Sequence, residues 1–407
     1  MTMPARGVRG PLPTADPTVA ERWTESRGPL VERLRDRIVA EGPMTFATFM
    51  ASALYDPLDG YYATATDRAA REGDFLTAPE MDPIFGAALA GHLEDGWARL
   101  GRPAPFTWRE EGAGSGALAV AVLGELRRHA SPLLEALRYV PTEATSTRAT
   151  ALRQRLAAEG FERWLTPHLD AEPRPHGRLT GVITANELLD ALPVHRVAMR
   201  GGQLVELFVD WRDDWFADAA GPPSGAGLAA MVAASGLDLR EGDRAEVSPA
   251  ATAWVKQAAA SLGRGWLLLI DYGGEGHQLW GAAHPEGLLR TYRGHHVGAD
   301  PYRAIGRQDL TAHVDLTAIR RAGADAGLDL LGATTQAEFL AGLGAGELLV
   351  QLGEDPATTA QRYHTARGAL LRLLDPSAMG RFAVLAMGRG LLAQPPLRGF
   401  DYHLPAR

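Results

Sequence analysis

Glu110, Gly112, Gly114 and Gly116 have the types and spacing of a ligand-holding turn. They follow Phe106-Thr107-Trp108-Arg109, and Ala117–Ala130 runs on behind them. The stretch reads as a short strand, a glycine turn and a helix. Alternate glycines let the backbone turn sharply and let a ligand come close to it. The helix start offers unpaired N–H groups at the positive end of its dipole. The turn is G-x-G-x-G, so its third glycine comes one residue earlier than in the dinucleotide fingerprint. A carboxylate just before the turn repels a pyrophosphate. It suits a cationic amino-acid head, such as that of S-adenosylmethionine. A plain tight strand-to-helix junction uses the same glycines, so this stretch alone leaves both readings open.

Other carboxylates stand at the ends of apolar runs. Leu179–Ala185 reads as a buried strand that delivers Asn186, Glu187 and Asp190 at its carboxyl end. Ligands bind at such ends in open α/β sheets, and polar groups there are costly unless satisfied or used. The alternative is a helix cap by Asn186 with Asp190 solvated. Leu137–Thr142 reads as a second strand interrupted by Pro141. Glu143 after it is placed to accept ribose hydroxyls, or simply to start a turn. Gly265–Ile270 is a third buried strand, ending at Asp271-Tyr272-Gly273. The loop Gly73–Glu80 has no helical or strand period. It reads as a connector, or as a cofactor lid carrying Asp74, Thr77, Pro79 and Glu80. His295-His296 has no third spaced partner and predicts no metal. His92 is expected at or near the surface of the helix Pro83–Leu100.

Around these residues the elements follow from periodicity. Leu30, Leu34 and Ile38 recur every fourth residue behind Pro29, and Thr45 caps a helix burying Phe46, Phe49, Met50, Ala53 and Leu54. Tyr55–Tyr62 is a turn-rich aromatic loop. Val194–Arg200 and Gln203–Trp211 alternate around Gly201-Gly202, as a β-hairpin does. The polar stretch Arg212–Gly227 predicts a mobile loop. A helix from Pro249 resumes the α/β rhythm, and Arg381–Met387 is a late strand expected to pair with Leu328–Gly332. The expected pieces are a disordered tail (1–17), an N-terminal helical lobe with the lid (18–82) and a first sheet half (83–193). A hairpin insertion (194–247), a second sheet half (248–393) and a C-terminal tail (394–407) complete them. Alternating strands and helices predict an α/β sandwich with a mostly parallel sheet.

Composition bounds the partners. The 407 residues carry a net charge of −8, which argues against a nucleic-acid surface. The longest apolar run, Ala117–Leu123, falls far short of the roughly 20 residues of a membrane span. There is no cysteine, which excludes thiolate chemistry and fits a reducing cytoplasm. The alternating hairpin is a candidate surface for a partner or a homodimer.

Six motifs in one order resemble the MidA-like family of class I S-adenosylmethionine-dependent methyltransferases, which includes mitochondrial complex I assembly arginine methyltransferases. They are Tyr55-Asp56-Pro57 with Gly60-Tyr61-Tyr62; Gly73-Asp74-Phe75 with Thr77-Ala78-Pro79-Glu80; and Glu110 with Gly112, Gly114 and Gly116. The others are Asn186-Glu187 through Ala191-Leu192-Pro193-Val194-His195, Asp271-Tyr272-Gly273, and Asp309-Leu310-Thr311 with His313-Val314-Asp315. The resemblance covers about Met44 to Met387. It implies a Rossmann-like, seven-stranded sheet with an antiparallel last strand, and S-adenosylmethionine held by Glu110, the glycines and Glu143. Glu111, Ala113 and Ser115 depart from the family's usual loop residues. Asn186–Leu189 is similar to the acidic loop of symmetric arginine methyltransferases. That likeness implies Glu187 as the carboxylate receiving a guanidinium, with Asn186 and Asp190 in support. The acceptor is then a protein or peptide arginine. A small-molecule acceptor, an assembly factor with little turnover and, more weakly, a nicotinamide dehydrogenase are the competing readings.

Overall fold

A computed structural model describes residues 16–64, 77–166, 178–294 and 296–403. Asp74, with its neighbours Gly73 and Phe75, lies outside the described residues, as do His295 and positions 1–15 of the expected tail. The chain divides into two compact units.

One unit comprises Thr77–Leu189, Ala253–Gly273 and Ile319–Arg407. Its sheet has six strands among the described residues: β1 (Phe106–Glu111), β2 (Leu137–Thr142), β3 (Leu179–Asn186), β4 (Leu262–Asp271), β5 (Asp329–Thr335) and β6 (Ala383–Arg389). Their order is β5-β6-β4-β3-β1-β2. The pairs β1–β2, β1–β3 and β3–β4 are parallel, and β6 runs antiparallel to both β4 and β5. This is the mostly parallel sheet with an antiparallel last strand. Leu165 bridges Tyr139 in parallel on the outer edge of β2, where a seventh strand would add.

Near-continuous apolar runs such as Leu267–Ile270 form central strands because helices cover both sheet faces. The helix α1 (Ala78–Met81) is a single turn, followed by α2 (Ile84–Arg99) and α3 (Ala117–Arg128). Helices α2 and α3 approach closely at Gly86, where an added Cβ would stand 2.5 Å from that of Ala121. Pro141 does not interrupt β2. The Tyr139 carbonyl accepts the Thr166 N–H on the outer side. Pro141, two residues on, turns its missing N–H toward that same outer side, where an edge strand tolerates proline.

Two expectations for this unit are corrected. His92 is fully buried. Its Nδ1 donates to the Arg398 carbonyl at 2.8 Å, and its Nε2 accepts from Trp266 Nε1–H at 3.0 Å. Burial holds its pKa down at about 4, so the ring is neutral. Residues 394–403 are not a free tail. Leu397 and Phe400 are buried in the core with Phe339 and Leu343.

The other unit takes the described residues up to 64 with Asp190–Thr252 and Gly274–Ala318. It thus joins the N-terminal helices to the hairpin region. The strand Gln203–Arg212 pairs antiparallel with His195–Arg200, with Met44–Thr45 and with Trp215–Gly221. The expected hairpin is present, and both Gly201 and Gly202 have positive φ. The mobile loop expected over Arg212–Gly227 is instead a strand, Trp215–Gly221, and the start of a helix, Ala226–Ala234. Asp213 and Asp214, at φ 49° and 60°, make the second tight turn. The aromatic core of this unit gathers Phe46, Phe49, Trp215, Phe216 and Tyr302. No helix among the described residues is long and apolar enough to cross a membrane.

Candidate functional site

The sheet of the first unit brings Glu110, the glycine turn, Glu143 and Asn186-Glu187 to the carboxyl ends of β1, β2 and β3. Alternation along β1 separates its carboxylates. Arg109 and Glu111 pair at 2.8 Å, and Thr142 Oγ1 donates to Glu111 at 2.8 Å. This pairing accounts for the charged residue at position 111. Glu110 is buried and accepts the Tyr139 hydroxyl at 2.6 Å. Burial pushes its pKa up to about 8, with the charge of Glu143 adding and the Tyr139 bond opposing.

Gly112, Gly114 and Gly116 all take left-handed φ, between 59° and 75°. At Gly112 the space is also closed, because an added Cβ would meet Leu188 Cδ1 at 2.9 Å. The N–H groups of Gly112 and Ala113 both donate to the Thr142 carbonyl at 3.1 Å, which locks the turn onto β2. The Gly114 N–H donates to the Glu143 carboxylate, whose second oxygen accepts Arg148 Nε at 3.0 Å.

Helix α1 touches two parts of this array. Ser115 Oγ donates to Glu80 Oε1 at 2.9 Å, and the Ala78 N–H donates to Glu187 Oε1 at 2.9 Å. Thr77 precedes this turn and makes no side-chain cap, and Pro79 lies in its first positions.

Glu187 itself has φ 51°, and its N–H donates to the Ile270 carbonyl at 2.8 Å. Asn186 Nδ2 donates to Glu187 Oε1 at 3.0 Å. Burial, then the charges of Asp271 and Glu80, raise the Glu187 pKa to about 8 against the Ala78 and Asn186 bonds. The role of Asp271 was not visible in the sequence. Its Oδ2 accepts the N–H groups of Leu188 and Leu189 at 3.2 and 2.8 Å, and its Oδ1 accepts that of Tyr272 at 2.7 Å. Asp271 is therefore a positioning residue for the Glu187 loop. Asp190 is grouped with the other unit, where its carbonyl accepts the Ala312 N–H at 2.9 Å.

These residues fit a cationic amino-acid nucleoside. A close backbone turn carries a carboxylate bonded to its amide, a buried carboxylate stands beside it, and Asn186 Oδ1 is buried without a hydrogen-bond partner among the described residues. That oxygen awaits a donor, and an ammonium supplies one.

The raised carboxylates have a consequence for stability. Glu110 and Glu187 keep protons in the folded state from the ordinary 4.5 up to about 8. The unfolded chain has lost those protons, so each group disfavours the folded state increasingly as pH rises through that window. The buried His92 and His313, held down to about 4 from 6.5, act oppositely below pH 6.5. Of these four groups, only the glutamates still contribute between about pH 6.5 and 8. The free energy of unfolding is then expected to fall by at most about 1.4 kcal/mol per pH unit for each retained proton. Denaturant titrations at pH 6.5, 7.25 and 8 should show this decline, and Glu110→Gln/Glu187→Gln should flatten it. A wild-type profile that is level or rising there would show that these carboxyls ionise normally.

The family model for S-adenosyl-L-methionine-dependent methyltransferases matches residues 88–334. The Drosophila melanogaster protein named protein arginine methyltransferase NDUFAF7 homolog, mitochondrial, is 28% identical, over 96% of this chain and 92% of its own. The Homo sapiens protein arginine methyltransferase NDUFAF7, mitochondrial, is 27% identical over 93% and 87% respectively. The crystal structure of a Burkholderia thailandensis protein bound to S-adenosyl-homocysteine has a TM-score of 0.83 at 33% identity, covering 96% of this chain and 98% of that one. The mitochondrial names overturn the expectation of a cytoplasmic protein. A chain without cysteine carries no thiol by which one reducing compartment differs from another. The matched region spans more than half the chain and the Burkholderia structure nearly all of it, so the chain belongs to the S-adenosyl-L-methionine-dependent methyltransferases.

Proposed function

We propose that the protein transfers a methyl group from S-adenosylmethionine to a guanidinium nitrogen of an arginine in a protein acceptor. The observation that carries this reading is the setting of Glu187. It stands at the carboxyl end of β3 with a left-handed backbone, and Asp271 ties down the two residues that follow. A non-glycine residue held in that conformation marks a place where orientation is enforced. The relatives named as protein arginine methyltransferases support the acceptor class.

The cofactor, when bound, supplies an electrophilic methyl group on a sulfonium. Glu110, Gly112, Gly114, Gly116, Glu143 and Asn186 would hold it, with Thr77, Pro79 and Glu80 beside them. Glu143, which holds the Gly114 amide, would accept the ribose hydroxyls. Asn186 Oδ1 and Glu110 would meet the ammonium end. Glu187 keeps Oε1 on Ala78 and Asn186 and offers Oε2 to the guanidinium. An arriving cation lowers the pKa of Glu187, because an opposite charge favours the ionised form. The carboxylate then orients the nitrogen, and alignment of donor and acceptor contributes much of the rate.

The test is methyl transfer from radiolabelled S-adenosylmethionine to an arginine–glycine repeat peptide, a lysine–glycine counterpart and free agmatine. Methylarginine in the first peptide alone is the expected product. Label on agmatine alone would move the acceptor to small molecules. Tight cofactor binding without label on any of them would favour an assembly role.

A further inference from the structure

Two guanidinium groups within the unit containing Asp190–Thr252 stand without an acid. That unit brings Arg27, just before the helix Gly28–Glu41, against residues 300–308. The Arg27 N–H donates to the Ile305 carbonyl at 2.9 Å, and the Ser26 hydroxyl accepts the Ile305 N–H at 3.0 Å. Gly306 follows at φ 73°, and an added Cβ there would stand 2.9 Å from Arg27 Cγ and 2.5 Å from the Asp59 carbonyl oxygen. Arg307 comes next, and its own N–H donates to the Ala304 carbonyl at 2.8 Å. Buried Gln308 closes the loop by donating to the carbonyls of Asp300 and Pro301. The Arg27 stem therefore lies against the residue next to Arg307, on a loop whose two ends are tied together.

The neighbouring carboxylates are already taken. Arg22 pairs with Asp300 at 2.9 Å. Glu25 takes both Arg303 at 2.7 Å and Arg293 at 3.2 Å. Asp56 and Asp59 each hold Arg33 at 3.0 Å. Arg27 and Arg307 form no ion pair with a described carboxylate, and the Nε of each is buried without a hydrogen-bond partner among the described residues. Burial, then the charges of Arg27 and Arg293, hold the Arg307 guanidinium below its ordinary pKa. Buried donors left unmet are costly, and like charges set side by side add to that cost. An anion would relieve both. Arg27 and Arg307 are each only half-buried, which leaves surface for an anion to reach.

We infer that Arg27 and Arg307, with Arg293 beside them, form a binding site for a phosphomonoester. A guanidinium presents a planar fork of N–H groups that matches two phosphate oxygens. A phosphomonoester carries between about 1.5 and 2 negative charges at pH 7 and three strong acceptor oxygens. That charge matches the two guanidinia that lack an acid, whereas a carboxylate matches one. The tied loop holds Arg307 in place before the ligand arrives, so binding orders little. The phosphate belongs to a free small molecule or to a lipid headgroup, and the same chemistry recognises either. The site is independent of the acceptor proposed for methyl transfer.

The experiment titrates inorganic phosphate and glycerol 3-phosphate, with acetate at matched ionic strength, into the full chain saturated with S-adenosylhomocysteine at pH 7.5. A parallel arm measures flotation with phosphatidylcholine vesicles that contain phosphatidic acid. The wild type should bind both phosphates and not acetate. Arg27→Gln and Arg307→Gln should each weaken phosphate about tenfold or more, the worth of a charge-assisted hydrogen bond, with S-adenosylhomocysteine binding unchanged. Phosphate should also raise the wild-type Tm and leave that of the folded variants unmoved. If neither glutamine variant folds, Arg307→Lys, which keeps the charge and loses the fork, should still weaken phosphate. Binding in solution that the variants lose would support the site with a free small molecule as the source. Capture by the acidic vesicles alone, lost in the variants, would support it with a headgroup as the source. Acetate bound as well as phosphate, phosphate binding indifferent to the substitutions, or no binding in either arm would overturn it.

Discussion

Glu187→Gln is expected to lower kcat about 10²–10³-fold, the effect of removing one preorganised charge-stabilising group from an active site. S-adenosylhomocysteine affinity should stay within about threefold, well below the 1.4 kcal/mol of a tenfold change. The substitution preserves size, and its amide oxygen can still accept the Ala78 N–H and Asn186 Nδ2. What disappears is the charge that, in the proposed role, opposes and orients a guanidinium. The variant should also gain stability at pH 8, because the wild-type carboxyl must by then give up its proton in a buried place. Single-turnover methyl transfer beside calorimetric cofactor binding separates the effects. Turnover within threefold of wild type would remove Glu187 from the chemistry.

The second large effect is expected at Glu110. Glu110→Gln keeps an acceptor for the Tyr139 hydroxyl while removing the charge. Cofactor affinity should fall about 10- to 100-fold, the worth of a charge-assisted hydrogen bond. Glu110→Ala is the less informative change. It strands the buried Tyr139 hydroxyl at a further cost of about 1–3 kcal/mol. A proton count sharpens the test. Near pH 7 the wild-type Glu110 holds a proton, and a cationic ligand should expel it. Titration in buffers of different ionisation enthalpy should reveal proton release in the wild type and none in Glu110→Gln. Equal affinities and equal proton counts would place the ammonium contact elsewhere.

What was legible in the sequence was local. The glycine turn showed because three left-handed residues in five positions leave little choice but glycine. The buried strands showed because parallel strands covered on both faces become continuous apolar runs. The hairpin at Gly201-Gly202 showed for the same local reason. Its neighbour at Asp213-Asp214 did not, because two aspartates read as solvated loop until they are seen at positive φ. Aspartate tolerates that region, though less freely than glycine.

The rest depended on distant partners. His92 looks polar on its helix, and only Trp266 and Arg398, far along the chain, make its burial affordable. Leu397 and Phe400 sit in a proline-rich stretch with no period, and their burial comes from Phe339 and Leu343. Pro141 looks like a strand breaker until β2 is known to be an edge. Asp271 could be marked as a carboxylate at a strand end. Its grip on Leu188 and Leu189, some eighty residues earlier, has no sequence signal.

Helix α1 is a four-residue turn with one bond to the glycine loop and one to Glu187. Two ligands that each act on such a shared brace cannot bind independently. Any factor by which the methyl donor tightens the acceptor must equal the factor by which the acceptor tightens the donor. If filling the glycine loop settles Ser115 against Glu80, it also settles the Ala78 amide that aims Glu187. The donor then tightens the acceptor, which meets a carboxylate already aimed, and the acceptor tightens the donor by the same factor. In an enzyme built this way an acceptor is held best when the glycine loop is filled, because the residue proposed to receive it shares its brace with that loop.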